Sequence, residues 1–126
     1  MREIQTDQAP APVGPYSQAI ADGKLLFASG QIPIDPTSGS IVGGEIEDET
    51  RQVLANLRAV LEAGGSSLAR VVKATVYVTD LELFARINAV YAEAFHTQPA
   101  PARATVQVAA LPLGARVEID AIATLD

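Results

Sequence analysis

One apolar stripe between residues 48 and 63 constrains the fold of this chain more than any other feature. Acidic residues at 47–49 crowd its amino end, where the helix dipole favours negative charge, and Gly64-Gly65 follows as a stop. The pattern predicts an amphipathic helix over residues 48–63, whose buried face needs a second layer of structure to cover it. Five residues form the stripe, at i, i+1, i+4, i+7 and i+8: Val53, Leu54, Leu57, Val60 and Leu61.

A second helical stripe follows Asp80, a residue type that commonly caps the first turn of a helix. The break at Gln98-Pro99 ends this segment, because the residue before a proline disfavours helical geometry. We expect a second amphipathic helix that shares the core of the first. Its stripe contains Phe84, Ile87, Val90, Tyr91 and Phe95.

The remaining patterned segments predict β-strands over 16–21, 25–29, 71–78, 103–110 and 116–124. Asp22-Gly23 is a typical hairpin turn between the first two. The proline-rich first fifteen residues are expected to form a loop. Within 71–78, alternate residues from Val72 to Val78 are expected to share one face, and in the last segment apolar residues alternate with Glu118 and Asp120.

The order ββ–α–β–α–ββ predicts an α+β fold, a two-layer sandwich with a mixed sheet of five or six strands and both helices on one face. Residues 1–126 are expected to form a single domain. Because the strands carry apolar residues on both sides, the face away from the helices would remain uncovered. Such a face usually meets another subunit, so we expect an oligomer.

Composition excludes several kinds of site. The chain has no cysteine and one histidine, His96, which rules out disulfide scaffolds, thiolate chemistry and a histidine-rich metal site. Its net charge of −6 has the wrong sign for a nucleic-acid surface, so no nucleic-acid partner is expected. No apolar run is long enough to span a membrane, and the first residues lack an apolar signal segment, so we expect a cytoplasmic protein without a membrane partner.

Two charged residues are candidates for chemistry. Arg103 opens a strand directly after a proline-rich approach, and a guanidinium fixed there can bind a carboxylate through two parallel hydrogen bonds. Glu118 lies between Val117 and Ile119, where partial burial would raise its pKa and suit it to proton transfer near neutral pH. A solvated arginine at a strand end and a solvent-facing glutamate are the alternatives.

Smaller features accompany these two residues. Tyr16 follows a Gly-Pro turn, and Ser29 and Gly30 end a strand, where free backbone N–H groups and a hydroxyl can bind a small anion. Asn88 lies among apolar neighbours on the second predicted helix, and Thr105 shares a strand face with the arginine two residues before it. Each of them also fits an ordinary structural role in a turn, helix or strand.

Together these features resemble the reactive intermediate deaminase family, the RidA-type or YjgF proteins. The resemblance covers about residues 10 to 125, nearly the whole chain, and rests on several motifs in one order. The motifs are Gly14-Pro15-Tyr16-Ser17-Gln18, Ser29-Gly30-Gln31-Ile32-Pro33-Ile34-Asp35-Pro36, Thr50-Arg51-Gln52-Val53-Leu54-Ala55-Asn56-Leu57, and Pro101-Ala102-Arg103-Ala104-Thr105-Val106 followed by Val117-Glu118-Ile119.

The resemblance implies a chorismate-mutase-like α+β fold and a homotrimer with clefts between neighbouring subunits. It also implies hydrolysis of reactive enamines and imines, such as 2-aminoacrylate and 2-iminobutanoate, to 2-oxo acids and ammonia, with no metal or organic cofactor. Such a protein is a 2-iminobutanoate/2-iminopropanoate deaminase, whose partner is a small imino or 2-oxo acid.

The resemblance also suggests roles for single residues. Arg103 corresponds to the family's carboxylate-binding arginine and Glu118 to the acid that positions or activates the attacking water. Thr105 stands where many members carry cysteine, so thiol chemistry is unnecessary here, and whether its carbonyl or its hydroxyl helps hold the water stays open. The positions expected to line the cleft are Tyr16, Ser29, Gly30 and Asn88.

Other functions fit the same residues. A non-catalytic trimer that binds small 2-oxo acids in its clefts would use Arg103 in the same way. A holdase or an endoribonuclease is a further alternative. The net charge of −6 and the absence of a basic run argue against RNA as a substrate.

Overall fold

The two apolar stripes form two α-helices, and the alternating segments form one mixed sheet, as predicted. The computed structural model describes residues 1–125. The helices are α1 (Ile46–Ala63) and α2 (Phe84–Ala94). The strands are β1 (Arg2–Ile4), β2 (Ala19–Asp22), β3 (Leu25–Gln31), β4 (Val71–Val78), β5 (Ala102–Gln107) and β6 (Val117–Thr124).

The sheet has the strand order β1-β2-β3-β6-β4-β5. β4 and β5 run parallel, as strands joined by a crossover helix do, and the other neighbouring strands run antiparallel. β6 lies inside the sheet, between β3 and β4, although it comes last in the chain. Strands near both ends of the sequence are therefore required to complete one sheet, which fits the predicted single α+β sandwich.

Both helices cover the same face of the sheet. α1 packs across β3 and β6, and α2 packs against α1. On β6, alternate residues from Val117 to Ala123 are almost inaccessible and point towards the helices. The apolar stripe of α1 is thus buried between the sheet and α2, and burial of this kind is the main favourable term in folding.

The other side of the sheet, which we call the open face, is not covered by residues 1–125. Leu25, Phe27 and Val106 project from it and expose 37%, 42% and 42% of their surface. Leu25 and Phe27 alternate along β3 with the buried Leu26 and Ala28, which fixes the face on which they lie. The open face is the uncovered apolar surface that the sequence predicted.

Neither helix within these residues combines the length and the apolarity that crossing a bilayer requires.

The amino-terminal segment differs from the prediction. Residues 2–4, expected in a loop, form the edge strand β1, because Ile4 is buried against β2 and three residues are too few for an alternating pattern to show. β2 begins at Ala19 rather than at residue 16. The side-chain oxygen of Gln18 instead accepts a hydrogen bond from the backbone N–H of Thr6, at 2.7 Å. The predicted hairpin is present, but its loop is Gly23-Lys24, one residue later than expected.

Both helix starts also differ from the prediction. α1 begins at Ile46, two residues early, because the backbone N–H of Glu45 donates to Asp48 Oδ2 at 3.1 Å and forms a capping box. Asp80 caps a short 3-10 turn at Leu81–Leu83, accepting from the Glu82 N–H at 2.9 Å, and α2 begins only after that turn. The predicted cap is therefore real, but the element that it caps is not the helix itself.

Three strand predictions are corrected. β3 continues to Gln31 instead of stopping before Gly30, through a bulge between Ala28 and Gln31. β5 ends at Gln107, three residues short of the predicted end. Val72 lies at a second bulge and is 45% exposed, so it does not share the buried face of the later alternate residues of β4. Periodicity alone does not reveal a bulge, which reverses the side of the sheet to which a residue points.

Candidate functional site

Arg103 is held by neutral side chains of α2. Its Nη1 donates a hydrogen bond to Asn88 Oδ1 at 2.6 Å. Its Cζ lies 4.8 Å from the ring centroid of Tyr91 and 5.3 Å from that of Phe84, which are both cation–π distances. No carboxylate within residues 1–125 forms a salt bridge with it. The guanidinium is fixed in place, yet its charge is not neutralised by the chain described.

One helix stripe and one strand register bring these groups together. Phe84, Asn88 and Tyr91 occur at i, i+4 and i+7 and therefore share a side of α2. Arg103 pairs with the buried Ala74 of β4, so its side chain lies on the helix side of the sheet. Because β5 is the edge strand, the arginine remains exposed to solvent.

Thr105 lies on the same side of β5 as Arg103, as predicted, since it pairs with the buried Val76. Its Oγ1 is buried and has no hydrogen-bond partner in the chain described, and the same holds for the Tyr91 hydroxyl. Burial raises the pKa of Tyr91, and the charge of Arg103 partly opposes that shift. Buried hydroxyls without partners are uncommon in native structures. The hydroxyls of Thr105 and Tyr91, beside the arginine, therefore have unused hydrogen-bonding capacity in the chain described.

Glu118 lies on the open face, where it pairs with Tyr77 of β4. Burial raises the pKa of the Glu118 carboxyl above its ordinary value, and the charge of Asp120 raises it further. Tyr77 donates to Asp120 Oδ2 at 3.0 Å, and burial together with this bond raises the pKa of Tyr77. A carboxyl whose pKa is displaced towards neutrality is suited to both accepting and returning a proton.

Gly30 makes room for the Glu118 carboxyl. A Cβ atom added to Gly30 would lie 2.9 Å from Glu118 Cδ and closer still to Oε2. The backbone of Gly30 is not in the left-handed region, so it is this close approach, rather than conformation, that requires glycine. Two residues that were predicted separately are therefore brought into direct contact, through the bulge of β3.

Ser29 and Tyr16 are placed differently from the expectation. The Ser29 N–H donates to the Gln18 carbonyl at 2.9 Å, and its hydroxyl donates to the Ser17 carbonyl at 2.6 Å. The prediction of a free N–H at Ser29 was therefore wrong, because β3 does not end there. Tyr16 is 52% exposed, and its hydroxyl accepts a long hydrogen bond from the Val13 N–H at 3.4 Å.

The predicted residues form two groups on opposite sides of the sheet. We call them the Arg103 group (Asn88, Arg103 and Thr105, on the helix side) and the Glu118 group (Gly30 and Glu118, on the open face). A small molecule bound by one group within one chain is separated from the other group by the sheet itself. One copy of the chain thus assembles two partial sites rather than one complete site.

Neither group lines the groove on the helix layer. That groove has a volume of about 530 Å³ and lies between α1 and α2, where it contains His96, Arg51 and Arg58. Both arginines face carboxylates, Arg58 with Glu62 at 2.8 Å and Arg51 with Glu93 at 3.9 Å. Residues 1–125 also contain no group of three His, Cys, Asp or Glu side chains arranged to hold a metal ion.

Sequence reasoning missed the roles of Phe84, Tyr91 and Tyr77. The first two were assigned to the apolar stripe of α2, which is correct for the fold but incomplete for the site. Their spacing with Asn88 was the available signal, because a polar residue between two aromatic residues on one helix stripe can hold a cation. The Tyr77–Asp120 contact had no such signal, since it depends on how β4 and β6 pair.

This combination defines a class of small α+β protein that carries an unneutralised cation on the helix side of its sheet and a half-buried carboxyl on the other. A family model described as Endoribonuclease L-PSP matches residues 6–125. The chain belongs to this family, the YjgF/RidA proteins, which confirms the resemblance seen in the sequence.

Individual relatives agree with this assignment. A RutC family protein of Pyrococcus horikoshii is 56% identical over 120 residues, covering 95% of this chain and 94% of the relative. Reactive Intermediate Deaminase A, chloroplastic, of Arabidopsis thaliana is 48% identical over 122 residues, covering 97% of this chain and 65% of that protein. The crystal structure of RidA from an Antarctic Psychrobacter species matches with a TM-score of 0.94 at 46% identity, covering 98% of this chain and 99% of that chain. The predicted chorismate-mutase-like fold is therefore confirmed.

Replacing Gly30 with alanine tests the contact with Glu118. We expect Gly30→Ala to lower the free energy of unfolding by about 1–3 kcal/mol, the usual cost of overpacking, because the carboxyl must move. Urea unfolding measures the change, and the NMR signal of the Glu118 carboxyl carbon should shift with it. Gly43→Ala is the matched control, since a Cβ there meets nothing within 4 Å. Equal effects of the two substitutions would contradict the contact.

Replacing Glu118 with glutamine tests its burial. The raised pKa means that ionised Glu118 opposes folding above that pKa, whereas below pH 4.5 the carboxyl is protonated in both states and the effect vanishes. We therefore expect Glu118→Gln to stabilise the protein at pH 7, and we expect this gain to shrink as the pH falls through the raised pKa of Glu118 and to be absent below pH 4.5. Urea unfolding at a fixed protein concentration measures it, with exposed Glu93→Gln as the control. No gain at pH 7 would show that the Glu118 carboxyl is well solvated.

Proposed function

We propose that this protein hydrolyses small enamine and imine intermediates, such as 2-aminoacrylate and 2-iminobutanoate, to 2-oxo acids and ammonia. Arg103 carries the proposal, because it is rigidly held, exposed and without a carboxylate partner among residues 1–125. The family membership and the name of the Arabidopsis relative, Reactive Intermediate Deaminase A, favour the same reaction.

Arg103 would bind the substrate carboxylate. A guanidinium offers five N–H donors in a planar fork, and Asn88 takes one of them, from Nη1. The remaining donors can hold a carboxylate through two parallel hydrogen bonds. Because the arginine is fixed before the ligand arrives, the C=N carbon next to the carboxylate would take up a defined position.

Glu118 would move the protons. The enamine first tautomerises to the imine. Water then attacks the C=N carbon while Glu118 accepts a proton from it, and a new C–O bond forms. The protonated Glu118 gives that proton to the nitrogen, which yields a neutral carbinolamine. Glu118 then transfers the hydroxyl proton of the carbinolamine to the same nitrogen, the C–N bond breaks, and ammonia leaves as the 2-oxo acid forms. The raised pKa of Glu118 supports this exchange, because a group that both takes and gives a proton works best near the ambient pH.

The two groups would meet across a subunit interface. We propose a homotrimer in which the Arg103 group of one subunit and the Glu118 group of its neighbour line a shared cleft. Two observations support it: the groups lie on opposite sides of the sheet, and the open face, which bears Glu118, also carries exposed Leu25, Phe27 and Val106. A second copy packed on the open face would bury those apolar side chains and bring another Arg103 near Glu118.

A non-catalytic module for 2-oxo acids is the second candidate, because the Arg103 group alone supports carboxylate binding. An endoribonuclease is named in the description of the family model. The net charge of −6 argues against it, since binding to the RNA backbone depends on cationic surface. RNA cleavage that salt inhibits and that Arg103→Ala abolishes would favour the nuclease.

Activity can be measured with an L-amino-acid oxidase that generates imino acids and semicarbazide that traps them. We expect the wild-type protein to reduce trapping. Glu118→Gln should lose roughly 10²–10⁴-fold in rate, the usual contribution of positioned acid–base catalysis. Arg103→Ala should lose most of the activity, because substrate binding and orientation are lost together. Glu118→Gln should still bind a 2-oxo acid. Arg70→Ala, which removes an exposed arginine outside both groups, is the control.

The outcomes separate the candidates. Turnover by purified Glu118→Gln would remove Glu118 from the mechanism. Binding of 2-oxo acids by a folded wild-type protein that hydrolyses none of several imines would favour the binding module instead.

Mixing two inactive variants tests the shared cleft. If the site takes Arg103 from one subunit and Glu118 from the next, a mixed trimer of Arg103→Ala and Glu118→Gln subunits contains some intact clefts. Random assembly from equal amounts should restore roughly a quarter of the wild-type activity, since each cleft needs one suitable subunit on each side. Unfolding and refolding the two variants together, followed by the trapping assay, measures the recovery, and variants refolded separately are the control. No recovery in trimers shown to be mixed would place both residues in one subunit.

A further inference from the structure

The aromatic side chains that hold Arg103 have a role of their own. We propose that Tyr91 is a positioning residue for Arg103, whose ring keeps the guanidinium oriented and thereby sets the affinity of the site for a small carboxylate. This inference rests on the proposed function for its ligand, but the contact on which it depends is present in the chain itself, with the Arg103 Cζ 4.8 Å from the Tyr91 ring centroid.

An aromatic ring orients an arginine without using its donors. The ring face is negative and attracts the cation, whereas a carboxylate would occupy N–H groups and neutralise the charge. The ring of Phe84, 5.3 Å away, adds a second apolar contact, and the Asn88 oxygen fixes one edge of the guanidinium. The arginine is therefore held by neutral groups and keeps both its charge and most of its donors for a ligand.

Tyr91 is rigid enough to act in this way. It is 7% exposed, and its ring lies 4.4 Å from that of Phe95, tilted by 31°. An arginine side chain that is free to rotate loses that freedom when it binds a ligand, which weakens binding. A buried ring that holds the arginine beforehand removes much of this loss, so its effect should appear in affinity rather than in the chemical step.

The hydroxyl of Tyr91 provides a matched control. It is buried and has no hydrogen-bond partner in the chain described, so Tyr91→Phe removes an unpaired polar group and keeps the ring. Tyr91→Leu removes the ring. Val90→Ala is a packing control, since Val90 is a buried neighbour on α2 that does not form the cation–π contact.

The experiment first measures the NMR shifts of the Arg103 side chain and then the affinity for a ligand. In NMR spectra of the wild-type protein, the side-chain protons of Arg103 should show the upfield shift caused by a ring face. That shift should persist in Tyr91→Phe and Val90→Ala and largely disappear in Tyr91→Leu. Titration with pyruvate should then give a Kd raised roughly threefold to thirtyfold in Tyr91→Leu alone, as expected for loss of a cation–π contact. In the trapping assay KM should rise with it while kcat is retained.

Each result has a definite meaning. Arg103 protons without an upfield shift in the wild-type protein would overturn the inference, even if Tyr91→Leu does not fold. So would an unchanged pyruvate Kd in folded Tyr91→Leu, or an equal loss in Val90→Ala. A wild-type protein that hydrolyses no imine but shows the Arg103 shift and its loss in Tyr91→Leu would defeat the proposed function and leave the positioning role intact.

Discussion

The alternation of β6 is the constraint on which the rest of this structure depends. Its odd-numbered and even-numbered residues point to opposite sides of the sheet. The odd-numbered residues Val117, Ile119 and Ala121 are buried beneath the helices, and Glu118 and Asp120 lie on the open face. Because the strand lies between β3 and β4, the apolar half cannot move without opening the core. The carboxyl of Glu118 is therefore held partly buried against Gly30, and this burial, together with the charge of Asp120, raises its pKa.

Arg103 is held in place by neutral side chains rather than by carboxylates. Four other arginines of the chain face acidic partners, as Arg86 faces Glu45 and Glu47. These two carboxylates fix the Arg86 side chain and neutralise its charge. The hydrogen bond to Arg86 is also the main reason that the pKa of Glu47 is lowered to about 2. Arg103 instead lies among an amide and two rings. The neighbouring groups thus decide whether an arginine is neutralised within the chain or keeps its charge.

Much of the fold could be predicted from the sequence because its helices and central strands repeat their patterns over many residues. β1 could not, since three residues carry no period, and neither could the bulge at Val72, which changes the side of the sheet without changing composition. The site residues Arg103 and Glu118 could be proposed from residue type, from the strands that carry them and from the family resemblance. Their separation by the sheet could not, because it depends on which strands pair and in which register, and alternation within one strand does not specify its neighbours. Tyr91 shows a related limit, since an apolar stripe looks the same whether a ring only fills the core or also supports a cation.

The hydroxyl of Thr105 bears on how the protein responds to oxidants and thiol reagents. This chain places the buried Thr105 hydroxyl beside its arginine, and it has no cysteine. Peroxides and thiol reagents inactivate proteins mainly by modifying thiolates, so the surroundings of Arg103 offer them no target. The one methionine, Met1, precedes the strand at the opposite edge of the sheet from β5. Oxidants that act on thiols would therefore find no sulfur nucleophile beside Arg103 to modify.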